Sequence, residues 1–424
     1  MQKKRPLTLY ILVAMLLGIA VGYACHTVFP DKKLTADISS HISLVTDIFL
    51  RLIKMIIALL VFSTLTVGIA NLSDGKAAGR IGAKAFAWFI AASMVSLALG
   101  MLLSNLMQLG TNLGLPLPAI DASTGLKTSA FTLKDFISHV VPKSPIEAMA
   151  NNEILQVLVF SIFFGSALGA LGESGKRLLG VVDELAQVML RITGAIMNMA
   201  PLAVFAAMAS VVTTNGLGIL ATFAKFIGGF YLGLFCLWAL LIAAGFAVLG
   251  PRVLRLVGLI REPFLLAFST ASSEAAYPKL LVALDKFGVQ RRISSFVLPM
   301  GYSFNLDGSM MYCTFAVLFI AQAYGIDLSL GTQITMLLLL MLTSKGMAGV
   351  PRASLVVIAA TLTQFHIPEA GLLLLMGVDQ FLDMGRSATN AVGNAIATAV
   401  VAKWEGALGE EEEQNGEHAY ARAA

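Results

Sequence analysis

The chain has 424 residues, of which 57% are hydrophobic and only 13% charged, with a mean hydropathy of +0.82. Soluble domains carry about 25% charged residues, so a water-soluble, disordered or nucleic-acid-binding protein is excluded and an integral membrane protein remains. The formal net charge is +4, with much of the acidic side in a run from Glu410 to Glu413, and Cys25, Cys236 and Cys313 are too dispersed for a disulfide framework or a thiolate metal site.

Lys3, Lys4 and Arg5 precede an apolar run that is too long for a signal core and lacks a small-x-small cleavage site. It is read as the first of six spanning windows, near 7–29, 43–70, 85–109, 147–171, 185–212 and 221–249, each roughly 20 residues or more. After residue 250 the apolar stretches are interrupted by FSTASSEAAYPKLL (268–281), GYSFNLDGSMMY (301–312), SKGMAGVPRAS (344–354) and VDQFLDMGRSATNAVGN (378–394). Backbone freed from helical bonding is tolerated at membrane depth only where protein encloses it. Paired broken segments in successive halves are the sequence pointer to a transporter's binding site.

Basic residues alternate with the crossings. Lys76, Arg80 and Lys84 follow two crossings, Lys176 and Arg177 follow four, and Arg252, Arg255 and Arg261 follow six. A re-entrant hairpin at 268–281 keeps Lys286, Arg291 and Arg292 on that same side, and a second around 344–354 returns the chain to it at Lys403. The positive-inside rule then places both termini in the cytoplasm, and the expected location is the inner membrane. The expected fold is all-α and membrane-integral: eight transmembrane helices plus two re-entrant helical hairpins. The polar end of the chain, 406–424, is expected to be a disordered acidic tail.

The last helix carries the chemistry. Asp379, Asp383, Arg386, Asn390 and Asn394 are spaced by four, three, four and four, with Ser387 beside them, so they line one helical face. Each buried charge there costs roughly 2.5–3.5 kcal/mol on the insertion scale, which demands polar partners or water. Asn305 and Asp307, followed by Gly308, predict an unwound point in the preceding helix, because Gly, Asn and Asp disfavour helix interiors. Ser272, Ser273 and Glu274 at one tip, and Gly346 to Pro351 at the other, offer free N–H groups suited to a carboxylate.

These four segments, in this order, resemble the glutamate transporter family, also called dicarboxylate/amino acid:cation symporters, and the resemblance covers nearly the whole chain. It implies inverted repeats, a homotrimer and an elevator mechanism. Residues 1–84 (first two helices) and 145–220 (fourth and fifth) would be scaffold; 85–110 and 221–405 would form a mobile transport domain. It further implies that Arg386 grips a substrate side-chain carboxylate, a task suited to a planar bidentate donor. Asp383 would receive the substrate ammonium and Asn390 its main-chain carboxylate. Ser272, Ser273, Gly349 and Val350 would complete the site, with Ser309 and Ser387 where the family often has threonine. Since the C4-dicarboxylate branch lacks a carboxylate at the Asp383 position, the expected substrate is glutamate or aspartate, with succinate-type C4-dicarboxylates, or sodium-coupled amino acid uptake, as the alternatives.

Sodium-coupled relatives have aspartate where this chain has Asn394, Thr for Ala92, Tyr for Phe89 and Met for Leu306. Loss of these ligands points to a proton as the coupled ion, with Glu274 as its carrier. No cofactor or dedicated metal site is expected; Asn305, Asp307, Asn394 and Gly301 remain as residual sodium-site candidates. An intramembrane aspartyl protease is set aside because Gly-x-Gly-Asp is absent, a serine hydrolase because no histidine or suitable lysine accompanies Ser272 or Ser273. A channel would need rings of charge instead of one mixed stripe. The chain is therefore read as a transporter and not an enzyme.

Overall fold

The computed structural model describes residues 7–29, 31–70, 75–111, 117–119, 140–216, 223–344 and 353–409. Among them every regular element is helical, apart from an isolated antiparallel bridge between Val289 and Leu408. The principal helices are α1 (Leu7–Val28), α2 (Lys32–Ala70), α3 (Gly75–Met107), α4 (Ile154–Ala170), α5 (Lys176–Met197), α6 (Ala200–Asn215) and α7 (Ala224–Leu249). They are followed by α8 (Arg252–Leu259), α9 (Arg261–Thr270), α10 (Tyr277–Phe287), α11 (Arg291–Phe304), α12 (Asp307–Ala323), α13 (Leu330–Thr343), α14 (Ala353–Gln364) and α15 (Asp379–Trp404).

Among the described residues, five stretches are long and apolar enough to cross a bilayer: Leu9–Val28, Lys33–Ala70, Ala77–Met107, Ala224–Leu249 and Arg291–Ala323. The window expected at 185–212 is instead a bent pair, α5 and α6 meeting at 52°. Pro201 opens α6, and a proline there has no N–H to give to the preceding turn and crowds its carbonyl, so the helix turns at 198–199. The fourth window is also divided, because Asn152 takes a left-handed φ of 54° and ends a short helix, Pro145–Ala150, before α4 begins. α15 has the length to span at 26 residues, but its polar stripe keeps it out of the apolar set.

Two groups of helices share one continuous apolar core, with α11 packed against both α2 and α15. α2 lies against α4, α5 and α6, with α1 on α6; α15 lies against α7, α9, α11 and α12, with α3 along α12. The second group is the more deeply buried. All of Asp307–Ala321 is buried, whereas α1 exposes Leu16 and Leu17, as a lipid-facing helix does. Tyr231 Oη on α7 donates to the Phe381 carbonyl at 2.6 Å and Trp238 Nε1 to Thr389 Oγ1 at 2.8 Å, fixing α7 against α15.

Three features of the second half position the site. First, α9 and α10 have 10 and 11 residues, each too short to cross, and are joined by a tip where Ala271 adopts a φ of 49°. Ser272 N donates to Ala267 O and Ala271 N to Phe268 O, so the left-handed residue closes α9 in a Schellman-type turn. Second, the chain unwinds at Asn305 (φ −123°, ψ 65°) and Leu306 (φ −100°, ψ 61°) between α11 and α12, as NLDG predicts. Third, α13 and α14 flank the second tip, whose residues 345–352, with Gly346, Gly349, Val350 and Pro351, lie outside the described residues.

The expected boundaries shift at two places. The division at residue 84 falls inside α3, which runs unbroken from Gly75 because the Lys- and Arg-bearing stretch before the apolar window continues the same helix. Residues 406–409, expected in a loose tail, form a strap: Gln290 N donates to Ala407 O at 3.1 Å, Gly409 N to Gly288 O at 2.9 Å, and Arg252 Nη2 to Gly409 O at 2.7 Å. Residues 410–424 lie outside the described residues. Beside the strap, Glu405 is clasped by Arg80 at 2.8 Å and Lys84 at 2.6 Å, two cations one turn apart on α3, which ties the start of α3 to the end of α15.

The Arg80 hydrogen bonds, with Lys84, hold the Glu405 carboxyl below the usual glutamate range. A group lowered on folding stabilises above its unfolded value, and that contribution is lost as pH falls through the folded one. Both cations are partly exposed, so the clasp contributes at most about 1 kcal/mol. We expect Glu405→Gln to lower the melting temperature by a few degrees at neutral pH and to have little effect in acid, where the wild-type curve should converge on the mutant's. A constant gap across pH would show that the ionised carboxylate is not what stabilises the strap.

Candidate functional site

The stripe on α15 is an ion cluster around one guanidinium. Arg386 Nη1 donates to Asp379 Oδ1 at 2.8 Å, Nη2 to Asp379 Oδ2 at 3.5 Å, and Nε to Asp383 Oδ1 at 2.8 Å. The guanidinium lies 4.4 Å from the centroid of the Tyr312 ring, whose hydroxyl donates to Asp379 Oδ1 at 3.0 Å. Arg386 and Asp379 side chains are 2% and 3% exposed, but Asp383 is 25% exposed. A charge withdrawn from solvent needs this density of partners, and a cation over an aromatic face adds to it. Asp383 is therefore the one carboxylate of the three-residue cluster that reaches free space.

Below it, Asn390 joins α15 to the unwound segment. Its Oδ1 accepts from Gly308 N at 2.9 Å and Ser309 N at 3.4 Å, and its Nδ2 donates to Ser309 Oγ at 3.1 Å. Those N–H groups belong to the first turn of α12, where no intrahelical acceptor exists. One turn further, Asn305 Nδ2 donates to Asp307 Oδ2 and to Asn394 Oδ1, both at 3.1 Å, and Ser96 Oγ on α3 donates to Asp307 Oδ1 at 3.5 Å. Asn305 Oδ1 is buried with no hydrogen-bond partner. A buried oxygen beside an aspartate suits a hard monovalent cation, so Asn305, Asp307 and Asn394 fit the residual sodium-site role on chemistry. Gly301 and Gly393 let the helices close on this knot. A Cβ on Gly301 would fall on Asn394 Oδ1, and one on Gly393 on Asp307 Oδ2.

A cavity of about 450 Å³ opens onto the stripe, within the range of small-molecule sites. Asp383, Arg386, Ser387 and Asn390 form one wall and Ser309 the floor; Ser272, Ser273 and Glu274 of the first tip form another wall. Ser272 Oγ accepts from Ala275 N at 3.3 Å, which shapes the tip. The structure thus brings together the expected site residues from the tip, the unwound segment and the last helix, and the contribution of Gly349 and Val350 lies outside the described residues. The opposite wall is α2, with Asp47 and Lys54, and α6, with Ala207 and Ser210.

Asp47, Lys54 and Tyr312 are absent from the sequence-based site. The first two were legible: two ionisable residues seven apart on one face of an apolar helix mark a functional surface. Tyr312 had no such signal, because an aromatic five residues beyond Asp307 reads as core.

The chain belongs to the sodium:dicarboxylate symporter family, whose description matches residues 7–404. It is 41% identical to a C4-dicarboxylate transport protein of Rhodospirillum rubrum over 94% of this chain and 88% of that protein. It is 40% identical to C4-dicarboxylate transport protein 1 of Mesorhizobium japonicum over 94% and 82%, and 38% identical to the C4-dicarboxylate transport protein of Acinetobacter baylyi over 96% and 94%. These similarities overturn the expectation of glutamate or aspartate uptake and favour the alternative. The physical reason lies at Asp383: Arg386 Nε and Ser387 Oγ (3.2 Å) both donate to its Oδ1, so the carboxylate read as an ammonium receptor already has an internal cation.

Replacing Gly393 with alanine should push α15 away from α12 and cost about 1–3 kcal/mol, the scale of overpacking. A melt of purified protein in detergent should show the loss, and Gly406→Ala, whose surroundings are open but whose φ is 63°, should show a smaller one. Equal effects would mean that the helix contact at Asp307 is not tight. By membership in the sodium:dicarboxylate symporter family the protein is a membrane transporter.

Proposed function

We propose that the protein is a secondary active symporter of C4-dicarboxylates such as succinate, malate or fumarate. The observation that carries this reading is 37–41% identity, over at least 94% of this chain, to transport proteins named for those substrates. The cavity chemistry agrees. Arg386 supplies a permanent planar cation for one carboxylate, and Asn390, Ser309 and Ser273 supply neutral donors for the other. Ser272 and Ser387 border the same space.

A co-transported cation offsets the dianion. Asn305, Asp307 and Asn394, with the Gly301 backbone, would hold sodium; a proton is the other candidate, and Glu274 is the carboxylate at the first tip. The α9–α10 and α13–α14 pairs act as re-entrant hairpins within eight spanning helices arranged as inverted repeats. α2, α4, α5 and α6 serve as a scaffold of a homotrimer, against which the α3, α7 and α9–α15 group moves as an elevator. The chain resides in the inner membrane with both termini in the cytoplasm.

Proteoliposomes should accumulate radiolabelled succinate, with malate and fumarate competing and glutamate and aspartate competing poorly. Removing one partner of a buried charge cluster costs about 3–5 kcal/mol, so Arg386→Ala should weaken succinate binding by at least about 100-fold. Accumulation of glutamate without succinate would sink the substrate reading, and unchanged affinity in Arg386→Ala would sink the assignment of the arginine. Running each solute with and without sodium identifies the coupled ion.

A further inference from the structure

The cavity has an unbalanced charge account that the cation site does not settle. On its α15 wall one guanidinium faces two carboxylates, Asp379 and Asp383. From the first tip Glu274 adds a third anion, opposed electrostatically by Lys54 of α2, and Asp47 of α2 adds a fourth at the exposed rim. α6 and the end of α9 contribute only uncharged lining, through Ala207, Ser210 and Thr270. Tyr231 of α7 and Tyr312 of α12 face the cluster as neutral phenols engaged in their own hydrogen bonds. Asp307 stands behind Asn390, in the knot with Asn305 and Asn394.

Into this space a C4-dicarboxylate brings two more negative charges and no ammonium. An amino acid would have offset one carboxylate of the wall; a dicarboxylate has nothing to offset it with. The cluster itself shows where the missing positive charge can enter. Asp379 is 3% exposed and accepts from both Arg386 and Tyr312. Asp383 is 25% exposed, lines the cavity, and takes both its hydrogen bonds at Oδ1, from Arg386 and Ser387. Its Oδ2 accepts nothing among the described residues.

We propose that Asp383 binds the dicarboxylate in its protonated form, so that a proton enters the site together with the substrate. A solvent proton forms an O–H bond at Oδ2, and that O–H donates to a substrate carboxylate oxygen, while Oδ1 keeps its bonds from Arg386 and Ser387. A repulsive pair of carboxylates becomes a charge-assisted hydrogen bond. Asp383 in this role selects for anions without an ammonium and couples their binding to pH. Glu274 of the first tip is the competing carboxylate for this proton, with Lys54 of α2 on the opposite wall of the cavity. The inference rests on the C4-dicarboxylate reading.

The test is succinate titration of the full chain in nanodiscs, by calorimetry at one pH in buffers of different ionisation enthalpy, repeated across pH. With one linked proton, wild-type affinity should fall by about tenfold per pH unit on the alkaline side, and the buffer series should report close to one proton taken up per succinate. Asp383→Asn keeps shape and a donor but cannot take the proton, so its affinity should be nearly independent of pH, with no proton uptake. Asp383→Ser serves as the second variant and should behave likewise. Binding by wild type without proton uptake overturns the proposal, as does undiminished uptake in both variants, or loss of uptake in Glu274→Gln instead. Absence of any succinate binding by wild type overturns the substrate reading, and this inference with it.

Discussion

A guanidinium withdrawn from water on the last helix is the constraint to which the second half of this protein answers. Arg386 cannot be neutralised by giving up its proton, so burial obliges the fold to surround it with anions and aromatic surface. Asp379 and Asp383 come from its own helix, at seven and three residues' distance, and need no tertiary agreement to be near it. Tyr312 does need it. The ring lies against the guanidinium only because α12 restarts at Asp307 and runs back along α15. The arginine thus ties the register of α15 to the point at which its neighbour unwinds.

That unwound point and the first tip are two versions of one device. In each, a helix stops inside the protein and its free backbone groups are met by side chains. At the start of α12 the acceptor for Gly308 and Ser309 N–H is Asn390, a side chain from the opposing helix. At the tip the left-handed Ala271 costs roughly 1–2 kcal/mol for a non-glycine residue, and Ser272 offers the Ala275 N–H an acceptor. Such devices could not survive facing hydrocarbon. Their placement on two walls of one cavity leaves the walls lined by polar groups at membrane depth, which is what an anion requires to exchange water for protein.

Much of this was legible before any coordinates. The i, i+4, i+7 spacing of Asp379, Asp383 and Arg386 is a statement about helical geometry, and NLDG is a statement about helix propensity; both depend on local rules, and both hold in the structure. The α5–α6 bend was missed because the apolar window is continuous across Pro201, and apolarity says nothing of where the backbone turns. The strap at 406–409 was missed because its bonds join residues more than a hundred positions apart, beyond any periodicity. The substrate was misread for a different reason. Asp383 was weighed as a lone discriminator, with the rest of the cavity left out, whereas Arg386 and Ser387 already donate to its Oδ1 and Arg386 is shared with Asp379.

The division of the cavity between two helix groups carries the last step. Asp383, Arg386, Asn390 and the first tip belong to the group centred on α15, while Asp47 and Lys54 belong to α2, which packs with α4, α5 and α6. Any displacement of one group along the other would carry the anion-binding wall past the charges of α2, out of reach of Lys54. Ions held together in a low-dielectric interior interact several times more strongly than at a protein surface, so a wall that depended on Lys54 for its balance would resist leaving it. A wall that closes its own charge account, by a cation in the Asn305–Asp307–Asn394 knot or a proton on a carboxylate, can leave with its cargo. The internal pairing of Arg386 is the part of that account already written into the helix, and it leaves a surplus of one carboxylate on the wall.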